Sequence, residues 1–489
     1  MNVNELVQHM HIIKQIGNQQ LLEMTIKDLS YNTNTVHEKS IFFALQGRTL
    51  DGATFIPRAY ELGSRVFVSQ TEVDVPEDAL LIIVKDSRYA LSQASNIFFN
   101  YPSRSLKVIG VTGTKGKTTT TTLLYKILTQ AGISAGVIGT NGIHYANMSI
   151  STSNTTPESY ELHKTMHLMR EAGVQVCFME VSSQGLMMNR VEHIDFDIAV
   201  FTNMAHDHIG ELEHPTFENY LYWKTHLFEL TKVALVNQDD AYVNHFKTSK
   251  VYTYSIDNAS DFQASQIEYL FAQGQTGMQF QVNSSPIHAL VHLPVPGKFN
   301  IYNALVVIAI AWLLDVNVQE TLHFLAKTTV SGRMESISNQ KGVLAILDYA
   351  HNGFSLENVV QTLQQYTYKR LLILFGSVGD RSQTRRKELG DVVAKYADIA
   401  MITSDNPGHE DPMRIIDDIY QSFVGSTCQV YKEPDRQKAI EKIISLSKEG
   451  DIIIFAGKGH ETYQLIGDEK VPFHEKEIIE HALHASVQQ

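Results

Sequence analysis

Cysteine is nearly absent: Cys177 and Cys428 are the only two. They cannot build a disulfide framework and lack the paired spacing of zinc ligands, so neither device holds this chain together. Cys177 lies inside the apolar run VQVCFMEV and is expected to be buried. No apolar run reaches the roughly 20 residues that would span a bilayer, so no membrane insertion is expected. The opening residues MNVNELVQHMHIIKQIGNQQ lack the basic-then-apolar pattern of a secretory signal, which makes the cytoplasm the expected location. Basic residues are outnumbered, 40 Lys and Arg against 53 Asp and Glu, for a net charge of −13. That balance argues against a protein that coats nucleic acid. A small anionic substrate remains compatible, because a local cluster of Lys and Arg can oppose the global sign. Internal repeats and low-complexity tracts are also missing. With 43% hydrophobic and 19% charged residues, the 489-residue chain reads as a globular protein of more than one domain.

The first hundred residues carry short β-rich runs, SIFFAL, RVFVS and ALLIIV, and end near Tyr101-Pro102-Ser103-Arg104, which reads as an extended linker. From Leu106 strands and helices alternate. LKVIGVT is a buried-strand pattern, followed by a glycine turn and TTTTTLLYKILTQAG, where Leu123, Leu124, Ile127 and Leu128 form a helical stripe. VQVCFMEV, DIAVFTN and VALVN repeat the strand theme, and a second series follows Arg333: LAILDYA, RLLILFG, DIAMITSD and DIIIFAG. Two such blocks predict an α/β protein with mostly parallel sheets.

The sharpest chemical signal is Gly110-Val111-Thr112-Gly113-Thr114-Lys115-Gly116-Lys117-Thr118-Thr119, placed after a strand and opening a helix. Glycines let backbone N–H groups approach phosphates, and the helix N-terminus adds positive potential. Lys117 is positioned to reach the β/γ-phosphates of ATP, and Thr118 or Thr119 to offer a hydroxyl to Mg²⁺. The strict phosphate-loop spacing wants glycine where Val111 stands. Downstream, Glu180 closes one predicted strand, and Thr202-Asn203-Met204-Ala205-His206-Asp207-His208 follows another. Mg²⁺ takes oxygen ligands and keeps waters and substrate phosphates, so one carboxylate with scattered supporters suffices. Singly, a strand-end Glu or His is more often a loop hydrogen-bonder. The His-x-Asp-His segment also invites a zinc reading, but no spaced Cys or His completes a tetrahedron.

Taken in order, these segments resemble the Mur ligase family, most closely its members that add the third residue of the cell-wall peptide. GTKGKTTT is similar to the family phosphate loop, Asn154-Thr155-Thr156-Pro157-Glu158 to its NTTPE, Glu180-Val181-Ser182-Ser183 to EVSS, and Asn203 to His208 to NxxxDH. Tyr220 to Lys224 resembles the YxxxK that carries a carbamylated lysine. Gly297-Lys298-Phe299-Asn300-Ile301-Tyr302-Asn303 resembles GxFNxxN, and Gly332-Arg333-Met334-Glu335 the GRME that begins a third domain. Asp348-Tyr349-Ala350-His351-Asn352, Gly379-Asp380-Arg381, Asp405-Asn406-Pro407 and Gly457-Lys458-Gly459-His460-Glu461 complete the series.

The resemblance implies an α/β architecture of three domains: a UDP-binding domain over 1–103, a central phosphate-loop ATPase over 104–332, and a Rossmann-like amino-acid-binding domain over 333–489. It implies that ATP phosphorylates the γ-carboxylate of D-Glu in UDP-MurNAc-L-Ala-D-Glu, after which a free amino acid attacks the acyl phosphate. A carboxylate is a poor electrophile until its oxygen becomes a good leaving group, and Mg²⁺ with Lys117 would spread the transferring charge. ATP contacts are expected from Gly113, Thr114, Lys115, Gly116, Lys117, Thr118, Thr119, Asn303, Arg333 and Asp348. Metal contacts are expected from Thr118, Glu180, His208 and Lys224, the last as N6-carboxylysine, with Lys117, Lys224 and His208 the catalytic set. Carrier-side contacts are expected from Thr33, Asn154, Thr155, Thr156, Ser182 and Arg190, and amino-acid contacts from Arg381, Asn406, Glu410, Gly457 and Glu461. A monomer is expected.

The chain departs from the family in places. Asn32-Thr33-Asn34 stands where Asp-Ser-Arg is common, Lys115 replaces the usual Asn of the phosphate loop, and Gln184 the usual His. Members that use meso-diaminopimelate typically read DNPR, whose arginine grips the far carboxylate; here Gly408 stands at that position. A carboxylate left there without a partner is costly, which favours L-lysine or a similar diamino acid. Glu410 and Glu461 would suit its terminal ammonium, while the GKGHE form is also common in diaminopimelate users. Competing readings are a paralogue joining an amino acid to another carboxylate, and a nucleotide-binding module without ligase chemistry.

Overall fold

The structure, a computed structural model, describes all residues except 48–49, 207–208, 211–212, 273–274, 286, 381–382 and 487–489. The chain divides into two compact units, Met1–Asp261 and Phe262–Gln489.

The first unit opens with a five-stranded sheet ordered Ile12–Gly17, Leu80–Val84, Val66–Ser69, Ser40–Phe43, Asp28–Ser30. Only the first of these strands runs antiparallel to its neighbour. The apolar runs SIFFAL, RVFVS and ALLIIV supply its three inner strands, all buried on both faces, as parallel strands covered by helices must be. The stretch read as an extended linker is instead a 3₁₀ turn, Pro102–Ser105, with Pro102 and Ser103 buried. Asn100 and Tyr101 adopt left-handed backbone immediately before it, and the Tyr101 amide bonds Asn96 O at 2.7 Å, so the chain turns sharply rather than extending.

The unit's second set of strands runs Lys250–Ser255, Thr231–Asn237, Phe196–Phe201, Lys107–Thr112, Val176–Glu180 and Ala135–Gly139, all parallel, with Gly142–Tyr145 and Met148–Ile150 added antiparallel. The phosphate-loop strand lies between Phe196–Phe201 and Val176–Glu180, where the chain reverses its direction of winding. Ligands in open α/β sheets bind at such a point, off the carboxyl ends of the strands. A polar seam joins this sheet to residues 1–103. Arg88 Nη1 donates to Glu158 Oε2 at 2.7 Å, Tyr31 to Glu161 at 2.9 Å, Tyr160 to Asp28 at 2.7 Å and Asn189 to Asp86 at 3.0 Å.

The second unit begins with an antiparallel meander, Phe262–Ala272, Gln275–Asn283 and His288–Leu293, which the sequence reading did not anticipate because its strands mix polar and apolar residues. Helices Lys298–Leu313 and Val318–Leu325 follow. Then comes a six-stranded sheet ordered Glu335–Ile337, Leu344–Asp348, Ile452–Ala456, Leu371–Phe375, Ile399–Thr403, Gln429–Glu433, parallel except for the first strand. Four of these are the apolar runs predicted after Arg333, and each is buried throughout. Among the described residues, no helix is long and apolar enough to cross a membrane.

Ile373 is fully buried in the centre of that sheet. Ile373→Ala is expected to lower stability by about 2–5 kcal/mol through lost burial and the cavity left behind. Urea or thermal unfolding followed by circular dichroism checks it.

Candidate active site

The strand Lys107–Thr112 delivers the chain to a loop, Gly113 to Gly116, and the helix Lys117–Gln130 begins directly after it. Gly113 has φ +143°, and a Cβ there would strike the Thr202 hydroxyl, so only glycine lets the loop lie this close to the neighbouring strand end. The loop is braced from that strand end. Asn203 Oδ1 accepts from the Lys115 amide at 2.9 Å, Asn203 Nδ2 donates to Lys115 O at 3.0 Å, and Thr202 Oγ1 donates to Lys115 O at 2.7 Å. Tyr220 OH reaches Thr114 Oγ1 at 3.2 Å. Lys117 Nζ curls back onto Gly113 O at 2.7 Å and Thr114 O at 3.0 Å. Its ammonium therefore stands over the cradle.

Glu180, 1% exposed, ends the adjacent strand and takes the Thr118 hydroxyl on Oε2 at 2.8 Å. Its other oxygen accepts from the Thr140 amide at 2.8 Å. Burial raises the Glu180 carboxyl above the ordinary range, while the Thr140 amide, the Lys117 charge and the Thr118 hydroxyl pull the other way. Of the two hydroxyls the sequence left open, Thr118 is the one beside the carboxylate; Thr119 lies half-buried in the same first turn. Glu180, Thr118 and Thr140 offer oxygen only, the donor type that Mg²⁺ takes and zinc does not prefer. Among the described residues, no three His, Cys, Asp or Glu side chains gather as a metal site. Asp207 and His208 lie outside the described residues. Lys224, 1% exposed on helix Phe217–Glu229, donates to Gly113 O at 2.8 Å and sits 4.6 Å from the centre of the Tyr220 ring.

The carrier-side candidates divide. Thr155 Oγ1 lies 3.0 Å from Thr140 Oγ1, next to the Glu180 cluster. Thr156 is fully buried; its hydroxyl donates to Glu180 O at 3.0 Å and lies 3.1 Å from Ser182 Oγ, while Ser182 caps the helix Ser183–Met187. Arg190 donates to Thr156 O at 2.9 Å and to Glu158 at 3.2 Å, so it holds the NTTPE turn in place. Asn154 is exposed, and Thr33 opens a 3₁₀ turn, Thr33–Thr35, that follows the strand Asp28–Ser30.

A second site lies in the second unit, at the carboxyl ends of its own sheet. Asp348, 7% exposed, accepts from the Met334 amide at 2.8 Å; burial raises its carboxyl and the Arg333 guanidinium lowers it. Arg333 stacks over the Tyr349 ring at 4.7 Å. Burial, followed by the Glu461 charge, pushes the Tyr349 hydroxyl up to about 12. Asn303 is buried on helix Lys298–Leu313 and donates to Asn300 at 3.3 Å. Asn406 Nδ2 donates to Glu461 Oε2 at 3.0 Å, and the Asp405 carboxylate lies against Gly457, which joins those three candidates in one cluster. Glu410 is drawn elsewhere. Both its oxygens accept from Arg386 Nη2 at 2.8 Å, and Oε1 also takes the Asp380 amide at 2.7 Å, so it is held by a guanidinium that it shares with Asp418. Arg381 lies outside the described residues. Thr140 and Arg386 were not singled out from sequence, and Thr202 and Lys458 were named only as members of longer motifs: a hydroxyl or a buried cation gains meaning only from the strand end it meets.

Family models match over residues 111–311, as the Mur ligase middle domain, and over 332–459, as the Mur ligase glutamate ligase domain. A UDP-N-acetylmuramoyl-L-alanyl-D-glutamate–2,6-diaminopimelate ligase of Clostridium perfringens (strain 13 / Type A) is 38% identical over 472 residues, covering 94% of this chain and 95% of that one. A protein of the same name from Clostridioides difficile (strain 630) is 36% identical and covers 99% of both. A solved structure titled for the same activity aligns over 100% of this chain and 99% of its own, with TM-score 0.72 and 28% identity. A MurF ligase from Thermotoga maritima, solved with ADP, shares the fold at TM-score 0.60 and 18% identity, over 94% of this chain and 98% of that one.

Lys117→Ala removes the cation above the loop without touching the core. Turnover is expected to fall by about 10²–10³-fold, the cost of deleting one group that stabilises developing charge, with the unfolding midpoint unchanged. Steady-state ADP release with parallel thermal melts checks it.

Proposed function

Because the chain belongs to the Mur ligase family, with its three-domain architecture of a phosphate-loop ATPase domain and a Rossmann-like C-terminal domain, we propose that it is an ADP-forming ligase joining an amino acid to the D-Glu of UDP-MurNAc-L-Ala-D-Glu. The observation that carries this reading is the buried Glu180 bonded to Thr118 at the mouth of the phosphate loop. We take the domains as 1–103, 104–332 and 333–489, and the reaction as cytoplasmic, where ATP is available.

In this reading the dipeptide's γ-carboxylate oxygen attacks the γ-phosphorus of ATP, ADP leaves, and an acyl phosphate forms. The amine of the incoming amino acid then attacks the acyl carbon, loses a proton, and inorganic phosphate departs. The loop amides and Lys117 hold the phosphates in line and oppose the charge that spreads over them. Mg²⁺, when bound by Glu180, Thr118 and Lys224 as its carbamate, supplies further neutralisation of the phosphate oxygens. The neutral Lys224 amine takes up CO₂ by forming an N–C bond and releasing a proton. The result is an anion with oxygen ligands in a place where a bare ammonium would repel the metal.

For the incoming amino acid we favour L-lysine or a similar diamino acid without a second carboxylate. Gly408 has φ +57°, and a Cβ there would collide with the Asp380 carboxylate. No guanidinium stands at that position, and among the described residues the charge that a Cβ there would meet is the negative one of Asp380. His409, whose amide donates to Asp380 at 3.1 Å, is a cation candidate among the described residues. The names of the relatives favour the second reading, meso-diaminopimelate.

Two measurements check the proposal. Comparing kcat/KM for lysine, ornithine and meso-diaminopimelate is expected to favour lysine by at least about tenfold, or 1.4 kcal/mol; the same preference for meso-diaminopimelate would overturn the lysine assignment. Lys224→Ala is expected to lose ligation and Lys224→Glu to recover part of it, because a carboxylate replaces the carbamate. Full activity in the alanine variant rules the carbamate out.

A further inference from the structure

Lys458 has no exposed surface, yet it is a cation between two strand ends. Its ammonium donates to Asn406 Oδ1, to Glu461 Oε2 at 3.1 Å and to Tyr463 O at 2.8 Å, and lies 3.3 Å from Asp405 Oδ1. A buried lysine with four oxygen neighbours has no freedom to act as a mobile acid or base, and its three N–H bonds are fully committed.

We propose that Lys458 is the positioning residue of the amino-acid site, fixing which atoms of Asn406 and Glu461 face the incoming amine; this rests on reading residues 405–461 as that site. An amide side chain can present either end, and the neighbours decide which. Asn406 Oδ1 receives both the Lys458 ammonium and the Leu465 amide, the latter at 2.9 Å. Reversing the amide would set its NH₂ against two donors. Its Nδ2 is therefore committed to Glu461 Oε2, 3.0 Å away. With Lys458 and Asn406 both on Oε2, Glu461 Oε1 keeps, among the described residues, a single long contact, 3.3 Å from Tyr349 OH. That oxygen is the acceptor kept for the amine of the substrate.

Charge supports the same assignment. The acidic side chains Asp405 (3% exposed) and Glu461 outnumber Lys458 within the cluster, and the neighbouring cation, Arg333, is stacked over the Tyr349 ring. The backbone beneath is anchored independently. Arg436 donates to Ser404 O at 3.1 Å and to Ala456 O at 2.9 Å, the carbonyls just before Asp405 and Gly457, and pairs with Glu475 at 2.7 Å. Arg436 thus sets where the two loops lie, and Lys458 sets how their side chains are turned.

The test uses the full-length protein with ATP, UDP-MurNAc-L-Ala-D-Glu and a panel of diamino acids. Wild-type ADP release that requires both acceptors tests the ligase reading by itself. Against that baseline, Lys458→Met is expected to raise KM for the preferred amino acid by at least about tenfold, leaving KM for ATP and the dipeptide within about twofold and kcat at saturation within about threefold. Lys458→Gln, which keeps an N–H donor toward Asn406 without the charge, is expected to fall between the two and serves if the methionine variant does not fold. An unchanged amino-acid KM in the folded variants overturns the proposal. So do equal rises in all three KM values, or loss of folding in both variants, each of which makes Lys458 a general structural support.

Discussion

A carboxylate in a protein interior is stable only while donors surround it, and Glu180 is in that position beside the phosphate loop. Its oxygens are met by the Thr140 amide and the Thr118 hydroxyl. Thr118 belongs to the first turn of the helix whose N-terminus forms the cradle. The carboxylate and the cradle therefore hold one another in register, and neither can shift without leaving a buried polar group unpaired. Gly139 is part of the same constraint, since a Cβ there would strike the Glu180 carboxylate. The parallel pairing of Lys107–Thr112 with Val176–Glu180 sets the distance between them, and the rest of the site inherits its geometry from that pairing.

The loop is fixed on its other side by Thr202 and Asn203, which grip Lys115 through backbone atoms alone. The brace therefore reads the Lys115 main chain, which fixes the path of the loop. Lys117 and Lys224 both donate to Gly113 O, so two lysine side chains from separate helices converge on one carbonyl at the loop's entrance.

The second unit repeats the principle with different chemistry. Buried arginines and a buried lysine hold loops whose own side chains are acidic. Arg386, 1% exposed, matches Glu410 and Asp418, and Glu410 in turn takes the Asp380 amide. Glu410, expected from the sequence to meet a substrate ammonium, is thereby the middle of a strut that supports the Gly379-Asp380 turn. An acidic side chain in a family motif and an acidic side chain in a buried ion pair look the same in a string of letters.

What the amino-acid order determined was local. Runs such as LAILD and IIIFA are uniformly apolar and became strands buried on both faces, and a strand, a glycine turn and an amphipathic stripe became the phosphate loop and its helix. Burial period and glycine placement act over a few residues, so they are legible in sequence. The order of short polar motifs identified the chemistry for the same reason, each being contiguous. Tertiary structure decided the partners. Thr118 and Glu180 are separated by 62 positions, Lys458 and Asn406 by 52, and no periodicity links them. Their meeting follows from which strand lies beside which, a choice made by the whole core. Hydrogen-bond satisfaction then selects the one hydroxyl, amide end or carboxylate oxygen that faces the site.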